Sequence, residues 1–360
     1  MKVLITGGAG FIGSAFASFL IERSNAEVVA YDNLLEQVHP SGQPPAEFPA
    51  RARLVKADVR DKAALDALLA DFSPDYVVHF AAETGTGQSM AEASRHASVN
   101  VVGTAEVLDA LHRHNRIPKR LMLSSSRAVY GEGAWTSAKG DQFYPGARTQ
   151  AQLAAAQWDF TAPDGSPARP APHDARTVNP NPTSIYGATK LAQEHVMAAW
   201  AAAHDVPLSI LRFQNVYGPG QSPNNPYTGI VNIFHQIARR GETIPIYEDG
   251  NIGRDFVYID DVVKACGAAL LSSIDGKSCY DVGTGVVLTI NDIARVIARL
   301  HNAPAPEICG KFRVGDVRWA VAAVKPLADD LKVVAKVPFE SGVKQVGEWL
   351  FSEELASIKD

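Results

Sequence analysis

The chain has 360 residues, 46% of them hydrophobic, and a formal net charge of −5. Single hydrophobic cores stop growing at about 250–300 residues, so this length predicts two structural units. The mild acidity excludes a bulk attraction to nucleic acid or to an anionic membrane surface, and any phosphate must be held by a local site.

No apolar run approaches the roughly 18 residues that a membrane span needs. The apolar run after Met1-Lys2 is too short for a signal peptide. Cys266, Cys279 and Cys309 show no metal-type spacing and fit a reducing compartment. The ten histidines form no ligand-like cluster in the sequence. The expectation is a soluble cytoplasmic α/β protein without a metal site.

In chain order, Lys2 to Ile5 is a short apolar strand that stops at Thr6-Gly7-Gly8. Phe11, Ile12, Phe16, Phe19 and Leu20 then recur at helical spacing, and Glu27 to Tyr31 reads as a second strand ending at Asp32. The alternation continues with a strand at Arg53 to Lys56, a helix at Lys62 to Leu69 and a strand at Tyr76 to Phe80. A helix at Val101 to His114 and a strand at Arg120 to Ser124 follow. Strands alternating with helices predict a doubly wound Rossmann sheet, parallel, with helices on both faces.

Residues 131–182 break this rhythm with many prolines, and only Thr149 to Ala156 looks helical there. The pattern resumes with a helix at Ile185 to Ala203 and a strand at Leu208 to Phe213. From Gly218 the chain loosens through Pro219, Pro223, Asn224, Asn225 and Pro226. The predicted division is a dinucleotide-binding unit over 1–216, carrying the insert at about 131–182, and a smaller mixed α/β substrate unit over 217–360.

Thr6-Gly7-Gly8-Ala9-Gly10-Phe11-Ile12-Gly13 joins the first strand to the first helix. Gly7, Gly10 and Gly13 suit a tight turn, a close approach to pyrophosphate, and close helix–sheet packing. Backbone N–H groups from Phe11 and Ile12 would point at the phosphates. Asp32 at the end of the second strand suits a ribose diol and repels a 2′-phosphate, which favours NAD over NADP. An ordinary turn aspartate before Asn33 is the competing reading. Asp58-Val59 suits the adenine edge, and a plain loop aspartate fits the spacing as well.

Tyr186 and Lys190 lie four apart on one helix face. An ammonium near a phenol favours the phenolate, which can accept a sugar hydroxyl proton as hydride leaves the carbon. Alone, this spacing is common on amphipathic helices. Ser124-Ser125-Ser126 ends a strand at the edge where ligands bind in such sheets, and Ser126 could hydrogen-bond the reacting oxygen. The order of cradle, acid, serine and Tyr-x-x-x-Lys carries the reading.

With these motifs in place, the chain resembles the extended short-chain dehydrogenase/reductases, in particular the nucleotide-sugar epimerases and dehydratases, from residue 1 to the low 340s. The resemblance implies cofactor contacts from Phe80, Ala81, Ala82, Thr84 and Ser124, and a structural role beside the cofactor for Asn100. It implies substrate contacts from Thr84, Ser126, Asn215, Pro245 and Tyr247. Arg254 and Arg318 would hold the diphosphate, since each guanidinium fork can pair two oxygens.

Two positions depart from the family pattern. Dehydratases carry Asp-Glu directly after the catalytic hydroxyl residue, and here Arg127-Ala128 stand there. Asp281 occupies a position where an asparagine near the nucleotide is expected.

The runs Ala81 to Met90 and Ser126 to Gly133 resemble a narrower group, the dTDP-L-rhamnose 4-epimerases. That implies C4 epimerisation through a 4-keto sugar, with NAD retained, yielding a 6-deoxy-talose nucleotide for cell-surface polysaccharide. A 4-keto-sugar reductase and a non-catalytic dinucleotide-binding regulator remain the alternatives. The family also implies a homodimer, paired through about Val102 to His114 and Tyr186 to Ala203.

Overall fold

The computed structural model describes residues 1–223 and 229–352. Asn224, Asn225 and Pro226 of the expected crossing, and 353–360 of the second unit, lie outside the described residues.

Seven strands form the central sheet: β1 (Lys2–Thr6), β2 (Glu27–Asp32), β3 (Arg53–Lys56), β4 (Tyr76–His79), β5 (Arg120–Ser126), β6 (Leu208–Phe213) and β7 (Lys277–Val282). Their order is β3-β2-β1-β4-β5-β6-β7, and every pairing is parallel. The chain winds outward from β1 to β3 and then crosses to β4 on the other side. That reversal opens a crevice beyond the carboxyl ends of β1 and β4.

Both sheet faces are apolar because successive side chains point to opposite sides. Val3, Ile5, Val28, Val78, Met122 and Leu211 face one way. They meet Phe16 and Leu20 of α1 (Phe11–Ser24) and, farther along the chain, Val262 and Ala269 of the helix Ile259–Leu270. Leu4, Val29, Val77, Leu121, Leu123 and Ile210 face the other way. Their partners are Leu65 of α2 (Lys62–Asp71), Val107 and Leu111 of α3 (Gly103–Arg113), and Met197 of α4 (Ile185–Ala203). Each such fully buried aliphatic side chain contributes roughly 1.5–3 kcal/mol.

The structure differs from the sequence expectation in two places. The helix expected from Val101 begins as a π-helical turn, Ser98–Val102, before α3. The break at 217 is also not a single cut. The helix Ile259–Leu270 and strand β7 return to the main sheet, because their apolar faces complete its far edge.

The rest of the second half forms small sheets. Asn215–Tyr217 pairs with Phe256–Tyr258, and Gly253–Arg254 lies between Leu288–Thr289 and Trp319–Ala320. Pro245–Ile246 pairs with Glu307–Ile308. In the insert, Trp135–Thr136 pairs with both Gln142–Phe143 and Arg169–Pro170. Its helix, Gln150–Ala154, is capped by the Thr149 hydroxyl. Among the described residues no helix is long and apolar enough to cross a membrane, and no cluster of His, Cys, Asp or Glu is arranged to hold a metal.

Candidate active site

A cleft of about 690 Å³ opens at the crevice, between the carboxyl edge of the sheet and the small sheets of the second half. Its floor is the turn after β1. Gly7 has φ +67°, and a Cβ there would lie 2.6 Å from Ala81 N. A Cβ on Gly13 would lie 2.2 Å from the Gly7 carbonyl oxygen, so α1 can approach the turn only with glycine at that position. A Cβ on Gly10 would meet only the Gly7 carbonyl, at 3.3 Å, and Gly10 lines the cleft. No side chain caps α1, so its first N–H groups are open to an anion. Asp32 accepts from Ala9 N at 3.0 Å and from Leu34 N at 2.9 Å, which holds its carboxylate at the cleft wall. This cradle fits a dinucleotide.

The catalytic side is assembled by close packing. Ser184 caps α4 by accepting from Gly187 N at 3.1 Å. A Cβ on Gly187 would lie 2.4 Å from the Ala128 carbonyl oxygen, so α4 abuts the 3₁₀ turn Arg127–Tyr130 that follows β5. This brings the Tyr186 and Ser126 hydroxyls together in the cleft. Burial pushes the Tyr186 phenol above its ordinary pKa, while the Ser126 hydroxyl and the Arg127 guanidinium pull it back down. Burial lowers the Lys190 ammonium to about 7, opposed by the Glu194 carboxylate. Glu194 is itself gripped by Arg212 at 2.9 and 2.7 Å. Arg127 is thus a cation beside Tyr186, a role the sequence reading did not give it, and Lys190 lines the same cleft.

All the expected site residues line the cleft except Asp58, Asn100 and Arg318. The Asp58 carboxylate is taken up by Arg60, through Nε at 2.8 Å and Nη2 at 2.9 Å, and by Asn33 at 3.1 Å. Those hydrogen bonds, Arg60 first, hold it down at about 2 against burial. Its neighbours Ala57 and Val59 line the cleft instead.

Asn100, on the π-turn, accepts from Glu83 N at 2.7 Å and donates to Thr189 Oγ1 at 2.9 Å. It ties the loop after β4 to α4 and does not reach the cleft. Arg318 is buried and saturated by carboxylates: Asp159 at 2.8 Å, Asp249 at 2.7 and 2.8 Å, and Glu248 at 3.3 Å. Acids from the insert and from the loop after Tyr247 draw it away from the cleft.

Asp281 is likewise remote from the cleft. It accepts Tyr130 Oη at 2.9 Å and Ala175 N at 2.7 Å.

Three of the lining residues that the sequence reading did not assign bear on the chemistry. Arg313 lies 5.2 Å above the Tyr247 ring, and Gln214 keeps a buried amide with no partner among the described residues. Arg127, noted only as a departure, lies directly in the cleft. Arg313 lies five residues before Arg318, the arginine to which the sequence reading gave the diphosphate role.

The model of the NAD-dependent epimerase/dehydratase family matches residues 3–157 and 159–283. A dTDP-L-rhamnose 4-epimerase of Burkholderia thailandensis is 50% identical over 352 residues, covering 98% of this chain and 95% of its own. A UDP-glucose 4-epimerase of Mycolicibacterium smegmatis is 32% identical, covering 88% of each chain. Among solved structures, the UDP-glucose 4-epimerase of Thermotoga maritima with UDP-glucose superposes with a TM-score of 0.80 at 28% identity, over 99% of this chain and 100% of its own. The UDP-glucose 4-epimerase of Thermus thermophilus in complex with NAD gives 0.77 at 27% identity, over 97% and 98%. With the cradle, the cleft and this likeness along nearly its whole length, the chain belongs to the NAD-dependent epimerase/dehydratase family.

Proposed function

We propose that the protein inverts C4 of a nucleotide-diphosphate sugar, converting dTDP-L-rhamnose to dTDP-6-deoxy-L-talose and back. The Ser126–Tyr186 hydroxyl pair inside the cleft carries this reading. The 50% identity to a dTDP-L-rhamnose 4-epimerase over nearly the whole chain supports the substrate.

The cradle, Asp32 and Lys190 would hold NAD, which when bound supplies a hydride acceptor and donor at C4. Tyr186 Oη, as the phenolate that Arg127 and the positive charge of a bound oxidised cofactor would favour, takes the C4 hydroxyl proton, and Ser126 Oγ holds the same oxygen in line. The 4-keto sugar then turns about its diphosphate link, and the cleft volume leaves room for that. Tyr186 returns the proton once the other face of the sugar is presented. Asn215 and Arg254 would hold the diphosphate, and Pro245, Tyr247 and Arg313 would flank the base; all five line the cleft. Arg127 and Ala128 offer no acid/base pair for eliminating water.

The same reading includes a cytoplasmic homodimer. Ala188, Ala199 and Ala202 on α4 are exposed, as is Val102 at the start of α3, and small side chains there permit close helix packing. Light scattering on the purified protein tests the dimer.

The activity test mixes purified protein with dTDP-L-rhamnose, without added cofactor, and follows the sugar-ring couplings by NMR. A C4 epimer should appear. Turnover of a 4-keto sugar that requires added reduced cofactor would identify a reductase instead. An unchanged spectrum with NAD present would exclude dTDP-L-rhamnose as the substrate.

A further inference from the structure

We propose that Arg127 is a substrate-binding residue whose guanidinium grips the sugar-bearing phosphate of the diphosphate. This assignment rests on the nucleotide-sugar reading above.

The backbone aims the side chain. Where β5 ends, Ser126 Oγ accepts from Ala128 N at 3.2 Å and turns the chain, so Arg127 enters the cleft. Its Nε donates to Asn215 Oδ1 at 2.7 Å, which fixes the guanidinium plane. No described residue accepts from Nη1 or Nη2.

The cleft separates two kinds of arginine. Arg148 and Arg318 lie behind its wall and are matched by carboxylates. Arg127, Arg254 and Arg313 line it and have no carboxylate ion pair among the described residues. Arg254 is oriented by backbone carbonyls, Gly253 at 2.8 Å and Val317 at 2.7 Å. Arg127 and Arg254 repel each other across the cleft, relieved in part by Asp316 and Glu132. Like charges held close together without a direct ion pair are costly, and a diphosphate binding both would relieve that cost.

Position along the cleft selects the phosphate. Arg313 lies over Tyr247 at the base end. Arg127 follows Ser126 directly and acts on Tyr186, where the sugar ring reacts. The phosphate within its reach is the one that bears the sugar. Gripped there, the link becomes a fixed pivot while the keto sugar turns.

The test is calorimetric titration of NAD-loaded wild type, Arg127→Gln and Arg127→Lys with dTDP, dTMP, UDP and UMP. Wild type should bind a diphosphate more tightly than its monophosphate. Arg127→Gln should weaken the diphosphate about tenfold or more and leave the monophosphate within about twofold, as expected for loss of a charge-assisted hydrogen-bonded pair. Arg127→Lys should recover part of the loss, since the charge remains but the fork does not. NAD content and melting temperature report the fold, and if Arg127→Gln fails there, Arg127→Lys carries the same comparison. Diphosphate affinity equal to wild type in a folded, NAD-loaded variant would overturn the assignment alone. A wild type that does not prefer diphosphates would overturn the nucleotide-sugar reading along with it.

Discussion

Arg148 meets Glu248 through two hydrogen bonds, 2.7 and 2.9 Å long, with both side chains buried. Arg148 belongs to the insert, and Glu248 follows Tyr247 on the cleft wall. Arg148 also donates to the Asp316 carbonyl at 2.9 Å and approaches Glu132 Oε1 at 3.4 Å. The proline-rich insert is therefore fastened to the two loops that bring Tyr247 and Asp316 to the cleft.

Breaking that fastening should act at a distance from the chemistry. Arg148→Met leaves buried Glu248 with only the longer 3.3 Å contact to Arg318, a loss of up to about 3–5 kcal/mol. The expected outcome is a lower melting temperature and a raised KM for the nucleotide sugar, with NAD content unchanged. Adding Glu248→Met should restore part of the stability, because the stranded charge is removed. A single variant as stable as wild type would show that the pair is dispensable.

Tyr186→Phe should fold and keep NAD while kcat falls by roughly 10²–10⁴, the usual contribution of a positioned acid/base group. Single-turnover assays with measured NAD occupancy check this. Near-normal turnover would remove Tyr186 from the mechanism.

Asp281 gives a pH test. Burial pushes its carboxyl up to about 7, against the hydrogen bond from Tyr130 and the charge of Arg212. A raised folded pKa means that its contribution to stability is complete below the ordinary carboxylate range and is lost as pH rises through about 7. Asp281→Asn cannot titrate. Its melting temperature should therefore fall less than that of wild type between pH 5 and pH 8. Parallel curves for the two proteins would mean the carboxyl titrates normally.

Gly13→Ala should disrupt the cradle. The added methyl meets backbone atoms of Gly7 and Gly8, which cannot swing aside as a side chain can. Purified variant should carry little NAD, read from its absorbance spectrum, and should melt at lower temperature. Full NAD occupancy would show that α1 can shift to make room.

Most of the fold was legible because the signals are local. The apolar runs of β1 to β6 and the amphipathic α4 are each bounded by their own turn residues. The two misreadings of the fold came from packing. The π-turn at Ser98–Val102 places Asn100 against Glu83 and Thr189, contacts made 17 and 89 residues away. Strand β7 joins the main sheet through partners on β6, which no local pattern in Lys277–Val282 announces.

The sequence by itself determined the strand–helix alternation, the glycine turn, and the presence of Ser126, Tyr186 and Lys190 at a strand end and on one helix face. Those depend on spacing within a single turn or helix. Only the tertiary structure decided which charged side chains face the cleft. Arg318 is captured by Asp159 and Asp249, and Asp58 by Arg60, while Arg127 and Arg313 are left turned inward. A long side chain points wherever its strongest neighbour lies, and for Arg318 those neighbours come from segments 69 and 159 residues away.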